Sequence, residues 1–303
     1  MNNKMIKSMV PYLGLVIVVV FFAVITRGKI LEWNNLSLII GQLFTSAVGV
    51  VFVMSMGSLD FSQGSILAVC CYVAAILSGI HVWAGILGAI LAGAFLGGLN
   101  GILVARLKVR SFVATICTMF ILRGFVRYLT SKHSANASIE MLHLNLFPAK
   151  LLIALLIIAG GYVLYQYTGF GKSARMIGAG ETAAEYSGIQ VKRTKVLVFV
   201  FAGMLAGAAS IFSLLRTGSV ISTTGNLLET DVMIALVLGG LPITGGARSK
   251  YSPVIIGVLI LAFLDNGLIQ MGASTVIQQL VKGIFFLLAI IVTTDRRSDN
   301  VNK

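Results

Sequence analysis

Gly57-Ser58-Leu59-Asp60-Phe61-Ser62-Gln63-Gly64 separates two apolar runs, at about 36–56 and 64–80, and its reading decides the fold. Runs of that length approach the ~20 residues a helix needs to cross a bilayer. A connection this short between them reads as a break inside the membrane, not as a loop in water. Ionisable groups are costly there, so Asp60 carries information. Its carboxylate either caps a half-helix whose N–H groups are otherwise unpaired or lines a solute pathway, where it binds a hydroxyl. Both readings stand open.

Outward from this break, eight further apolar runs lie at about 10–26, 82–104, 111–130, 150–167, 196–215, 231–241, 253–270 and 275–293. Strict alternation over ~10-residue stretches is absent, which argues against an outer-membrane barrel. The run at 231–241 is too short to span alone and reads as a half-helix or broken helix. The chain is therefore expected to be an all-α polytopic membrane protein of about ten transmembrane helices, some of them broken. Composition agrees: 57% of the 303 residues are hydrophobic and 11% charged, with a mean hydropathy of +0.97. A soluble multidomain enzyme, a disordered chain and a secreted disulfide scaffold are excluded. Cys70, Cys71 and Cys117 are odd in number, lie inside apolar runs and read as small buried hydrophobes.

The formal charge is +13, from 23 Lys+Arg against 10 Asp+Glu. The basic residues occupy short segments between apolar runs, so the charge is an orientation signal and not a nucleic-acid footprint. With Lys4 and Lys7 inside, four basic segments fall on the same side: 105–110, 168–195, 242–252 and the C-terminus with Arg296, Arg297 and Lys303. This parity supports ten spans with both termini cytoplasmic. Arg27 and Lys29, partly balanced by Glu32, are the misfit. The connections 131–149 and 216–230 fall outside and are more neutral or acidic. The run from Val10 to Thr26 lacks a small-x-small cleavage site and is expected to be a retained first helix. The longest polar stretch, 168–195, is too short for a core of its own, so ATP hydrolysis and solute capture must belong to other chains.

Several motifs carry no chemistry. Gly171-Lys172-Ser173 lacks the glycine five residues earlier that a phosphate-binding loop requires; Gln166 stands there. Gly178-Ala179-Gly180-Glu181-Thr182-Ala183 matches a dinucleotide fingerprint without a preceding strand. His81, His133 and His143 have no carboxylate or cysteine at ligand spacing, so neither a metal nor a cofactor is expected. No catalytic nucleophile–base pair stands out. Gly93, Gly97 and Gly101 form one small-residue ridge and Gly203 with Gly207 another, which serve close helix packing or a sliding interface. Asn100 lies in one apolar run and Asp265-Asn266 in another. Glu229 and Asp231 open the short run at 231–241, with capping the favoured role. In the inner segment 178–189, Glu181 begins a short helix that Gly188 ends. A short helix flanked by Lys and Arg suits docking into a groove on a partner, or is an ordinary connection.

On these residues, Gly-Glu-Thr-Ala-Ala-Glu-Tyr-Ser-Gly-Ile (180–189) resembles the coupling loop of ATP-binding-cassette (ABC) permeases of the ribose/galactoside-type sugar-uptake family, within the branched-chain amino-acid/sugar permease superfamily. Four other segments are similar to that family's pattern and occur in its order: Leu59 to Ser65, Leu99 to Arg106, Ser111 to Thr115, and Leu228 to Gly246. The resemblance runs over about 36–295. It implies a single transmembrane permease domain, 1–303, in the bacterial cytoplasmic membrane, with a coupling loop at about 168–195 bearing Glu181, Ala183, Ala184 and Gly188. It also implies partners: a second permease subunit (identical or a paralogue), two cytosolic ABC ATPases, an extracytoplasmic substrate-binding protein and a sugar-like solute. Asp60, Ser62, Asn100, Glu229 and Asp231 are the candidates for pathway or helix-break roles. Glu185, Arg110 and Leu241-Pro242-Ile243 depart from the family pattern. The competing classes are a permease for branched-chain amino acids or nucleosides, an ion-coupled secondary transporter, for which no inverted repeat is evident, and a non-transporting scaffold.

Overall fold

The computed structural model of the chain describes residues 3–293 apart from Glu32 and Ser134. Glu32, Arg296, Arg297 and Lys303, which enter the charge pattern, lie outside the described residues. The helices are α1 Asn3–Ile25, α2 Trp33–Ser55, α3 Gln63–Ser78, α4 Val82–Ala105, α5 Ser111–Lys132, α6 Ile139–His143 and α7 Phe147–Tyr167. They continue as α8 Gly169–Ala179, α9 Glu181–Tyr186, α10 Val191–Thr217, α11 Leu228–Leu238, α12 Ser252–Gln270 and α13 Thr275–Thr293. Each apolar run falls on one helix. Five helices are long and apolar enough to cross a membrane: α4, α5, α7, α10 and α12. Shorter apolar stretches occupy Pro11–Ile25, Gly41–Ser55, Gln63–Ser78 and Thr275–Ile291. Prolines open α7 and α12, where a missing N–H costs nothing, and α10 stops at Gly218 in the left-handed conformation.

The interior is organised around α10, which packs on α4, α2 and α3. The two glycine ridges turn out to be each other's partner. A side chain at Gly97 would collide with the Phe199 carbonyl oxygen, and one at Gly203 with the Gly93 carbonyl oxygen. The α4 and α10 backbones are therefore in direct contact, as lipid-embedded helices use small residues to be. The opposite face of α4 presents Trp83, Leu87, Leu91 and Phe95 outward at four-residue spacing. Large apolar groups outside and glycine inside is the reverse of a water-soluble helix. Helix α11 has eleven residues, about 16 Å, and is buried almost all round, as a half-helix inside a bundle must be.

The connections segregate to the two ends of α10. At one end, the two-residue strands β1 (Ala135–Asn136) and β2 (Ser219–Val220) pair antiparallel, so the connections after α5 and α10 meet. At the other end, the segment of α8 and the turn after α11 meet through Gly178 and Gly246. The stretch 168–195 is not a loop but two helices, with Gly171-Lys172-Ser173 inside α8. Cys70 and Cys71 are buried as expected, but Cys117 is exposed. Helix α5 turns Ala114, Thr115, Leu122 and Val126 inward, and the helical period puts Cys117 on another face.

Candidate functional site

Helix α2 stops at Ser55 and the chain runs without helix to Gln63, leaving backbone N–H groups in a buried place. Met56, Gly57 and Ser58 N–H donate back to α2 carbonyls, and those of Leu59, Phe61 and Ser62 are met by side chains. Leu59 N–H donates to Ser111 Oγ at 3.2 Å and Phe61 N–H to Thr115 Oγ1 at 3.1 Å, both from the first turns of α5. Asp60 Oδ1 accepts the Ser62 N–H at 2.9 Å and the Ser62 hydroxyl at 2.5 Å, while Oδ2 accepts from Gln63 Nε2 at 2.7 Å. The chain of bonds continues outward. Asn100 Nδ2 of α4 donates to Ser62 Oγ at 2.8 Å, and Thr118 Oγ1 of α5 donates to Asn100 Oδ1 at 2.7 Å. Asp60, Ser62, Gln63 and Asn100 are all buried. One polar network thus ties the break to α4 and α5, and it gathers three of the five candidate pathway or break residues.

The other two, Glu229 and Asp231, share the start of α11 but have separate partners. Arg123 Nη2 of α5 lies 2.7 Å from Glu229 Oε1 and also donates to the Gly225 carbonyl oxygen at 3.3 Å. Side-chain exposure is 14% for Arg123 and 6% for Glu229, so this ion pair is largely withdrawn from solvent. A side chain at Gly64 would collide with the Glu229 carboxylate and the Gly225 carbonyl, so the first turn of α3 lies against the backbone leading into α11 and against the Glu229 side chain. On the other side of α11, Lys282 Nζ of α13 donates to both Asp231 oxygens, at 2.9 and 3.0 Å, and lies 2.9 Å from Asp265 Oδ1 of α12. Three helices are held by one ammonium between two carboxylates. Arg123 and Lys282 were not among the candidates read from sequence. The signal that picks Asp60, an ionisable group inside an apolar run, applies to both.

The segment 168–195 is wedged under the ends of two broken helices. A side chain at Gly178 would collide with the Ser55 carbonyl oxygen at the end of α2, and would lie 2.7 Å from the Gly246 nitrogen. Gly246 N–H in turn donates to that same Ser55 oxygen at 2.9 Å. Ser55 Oγ and Tyr165 Oη are 2.7 Å apart, and the Arg175 guanidinium stacks 5.0 Å from the Tyr165 ring. Helix α9 follows. Its Ala184 is buried against the body, whereas Glu181, Ala183 and Gly188 are exposed, as are Glu185 and Tyr186. Glu181 bonds Lys195 of α10 at 2.6 Å, and Gly188, with φ +83°, turns the chain out of α9. Among the described residues none of α9 is bonded to the Asp60 network. The two groups are separate sites, linked through α8 and the end of α2.

Residues 33–290 match the family model described as branched-chain amino acid transport system / permease component. The chain belongs to this family. Among curated proteins it is similar to the ribose import permease protein of Escherichia coli (strain K12), 31% identical over 309 residues, covering 96% of this chain and 94% of that protein. The ribose import permease protein of Bacillus subtilis (strain 168) is 35% identical over 304 residues, with the same two coverages. The L-arabinose ABC transporter permease protein of Azospirillum brasilense is 33% identical over 261 residues, 83% of this chain and 76% of that protein. No solved structure matches. Family membership and the membrane-long helices together make the chain a multi-pass membrane permease.

Proposed function

We propose that the chain is the membrane-spanning subunit of an ABC importer that carries a monosaccharide-like solute into the cytoplasm. Ten spans with both termini cytoplasmic follow from the charge pattern. Separate ATPases on the cytoplasmic face supply the energy, an extracytoplasmic binding protein delivers the solute, and a second permease subunit completes the pathway. The ribose and arabinose permeases, similar over most of this chain, favour a sugar over the amino acids in the family's description.

The observation that carries this reading is the wedge of α8 and α9 beneath α2 and α11. Exposed Glu181, Ala183 and Gly188 present α9 to a partner, while buried Ala184 fixes it to the body. A push on α9 is passed to α8. Because Gly178 touches both Ser55 and Gly246, the same displacement reaches the break after α2 and the turn after α11. Close-packed segments of this kind shift between discrete arrangements and do not deform gradually.

Purification from the native cell in mild detergent is expected to bring down a stoichiometric P-loop ATPase. Its absence, in a detergent shown to preserve a known ABC complex, would sink the importer reading. In the assembled complex, Glu181→Ala and Gly188→Val are each expected to abolish substrate-stimulated ATP hydrolysis. Glu181→Ala should change folding little, since the Glu181 side chain is 58% exposed and such ion pairs are worth about 0–1 kcal/mol. Gly188→Val strains the turn at φ +83° locally and should leave membrane insertion intact. Full stimulation in both variants removes the coupling role.

A further inference from the structure

A cavity of about 290 Å³ opens between α2, the last turn of α10, the connection 221–226 and the start of α11. Gln42, Ser213, Arg216, Thr223, Asn226 and Asp231 contribute polar side chains to its wall. Arg216, Thr223 and Asn226 are exposed and mark the mouth; Gln42 and Asp231 are half-buried and Ser213 buried, so they lie deeper. Gln42, Arg216 and Asn226 have no side-chain hydrogen bond to any described residue. Three side chains with hydrogen-bonding capacity not used within the described residues therefore face one cavity.

We propose that this cavity is a binding subsite for a neutral polyhydroxylated solute of monosaccharide size, held through its hydroxyls by Gln42, Arg216 and Asn226 above Asp231. The proposal deepens the importer reading and rests on it. A hydroxyl both donates and accepts, and so does each amide; the guanidinium only donates and the carboxylate only accepts. The wall therefore complements a ring of hydroxyls at varied orientations. Both oxygens of Asp231 accept from Lys282, which also serves Asp265, so the floor is a partly compensated carboxylate that can still accept from a solute hydroxyl. The volume lies at the small end of the range for small-molecule sites. Its location also fits. Helix α10 starts in the basic segment assigned to the cytoplasm, and its 27 residues carry Arg216 about 40 Å away, to the outer end. A solute handed over from outside would meet this cavity on entry.

The test uses the purified complex with its ATPase in nanodiscs, carrying Cys117→Ser and Thr223→Cys, so that a single thiol stands at the mouth. D-Ribose, L-arabinose, D-galactose or D-glucose is expected to slow its modification by N-ethylmaleimide at least threefold, and L-leucine to leave it unchanged. Adding Arg216→Gln or Gln42→Ala should raise the sugar concentration for half-protection at least tenfold. Arg216 is exposed, so its variant keeps the test valid if Gln42→Ala assembles poorly. Protection by none of the four sugars, equal protection by L-leucine, or protection indifferent to Arg216→Gln overturns the subsite. Uptake of the same four sugars is measured in parallel, with the unsubstituted complex and its binding protein in proteoliposomes. Uptake without protection overturns the subsite and leaves the importer; uptake of none overturns the importer reading, and the subsite with it.

Discussion

Helices α3 and α11 both begin inside the bundle beside a carboxylate, and they neutralise it differently. At α3, Asp60 is satisfied by its immediate successors, the Ser62 backbone and hydroxyl and the Gln63 amide. At α11, Glu229 and Asp231 take cations from helices far away in sequence, Arg123 of α5 and Lys282 of α13. The first start is a local motif that other helices then bind, through Asn100 and Thr118. The second is a junction that exists only once α5, α11, α12 and α13 have come together. A segment held by distant ion pairs is released when one partner moves; a segment held by its own neighbours travels as a unit. The difference marks α11 as the element whose attachments can be exchanged, and α3 with its break as a rigid piece.

Removing one member of the buried α11 pair tests this most severely. Glu229→Ala leaves Arg123 uncompensated and is expected to cost about 3–5 kcal/mol, read as a lowered unfolding midpoint in detergent with rising SDS. Arg123→Met added to it should restore most of the loss, because the cost comes from the stranded charge. Failure of the double variant to recover would mean that Glu229 acts through α11 alone, as Asp60 acts through α3. Asp60→Ala should cost less, about 1.5–3 kcal/mol, since the donors it abandons are uncharged. A loss equal to that of Glu229→Ala would erase the distinction between the two starts. Asp231→Asn is expected to have the smallest effect, about 1 kcal/mol by the same assay, because Lys282 keeps Asp265 at 2.9 Å. A larger loss would show that Asp265 is no substitute.

Much of the fold was legible in the sequence. All ten apolar runs lie on helices, the short run is the buried half-helix α11, and the break at 57–64 is a gap between helices. These features depend on local hydrophobicity and on residues close in the chain. The grouping of Asp60 with Ser62 was legible for the same reason. Their link to Asn100 and Thr118 was not, since nothing in two separated apolar runs says which helical faces meet. The glycine ridges were visible singly, but that Gly97 and Gly203 close on each other is decided by which helices are neighbours. Cys117 was misplaced because burial depends on which side of α5 the bundle lies. For α9, spacing indicated a short helix from Glu181 with a stop at Gly188. That Ala184 faces inward while Ala183 faces outward follows only from its docking on α8 and α10.

The sequence by itself determined the solvent: with so few charges and such long apolar runs, backbone polar groups had to be satisfied within helices, because lipid offers no partners. It also determined where the helices break, since Gly57, Asp60, Gly239 and Gly240 interrupt the apolar pattern wherever they are packed. Only the tertiary structure decided the pairings: Arg123 with Glu229, Lys282 with Asp231 and Asp265, and Gly178 with Ser55 and Gly246. In an interior where most helices are equally apolar, hydrophobicity does not choose partners. Backbone approach at glycines and the need to neutralise a few buried charges do, and both are properties of pairs of helices, which no single stretch of chain encodes.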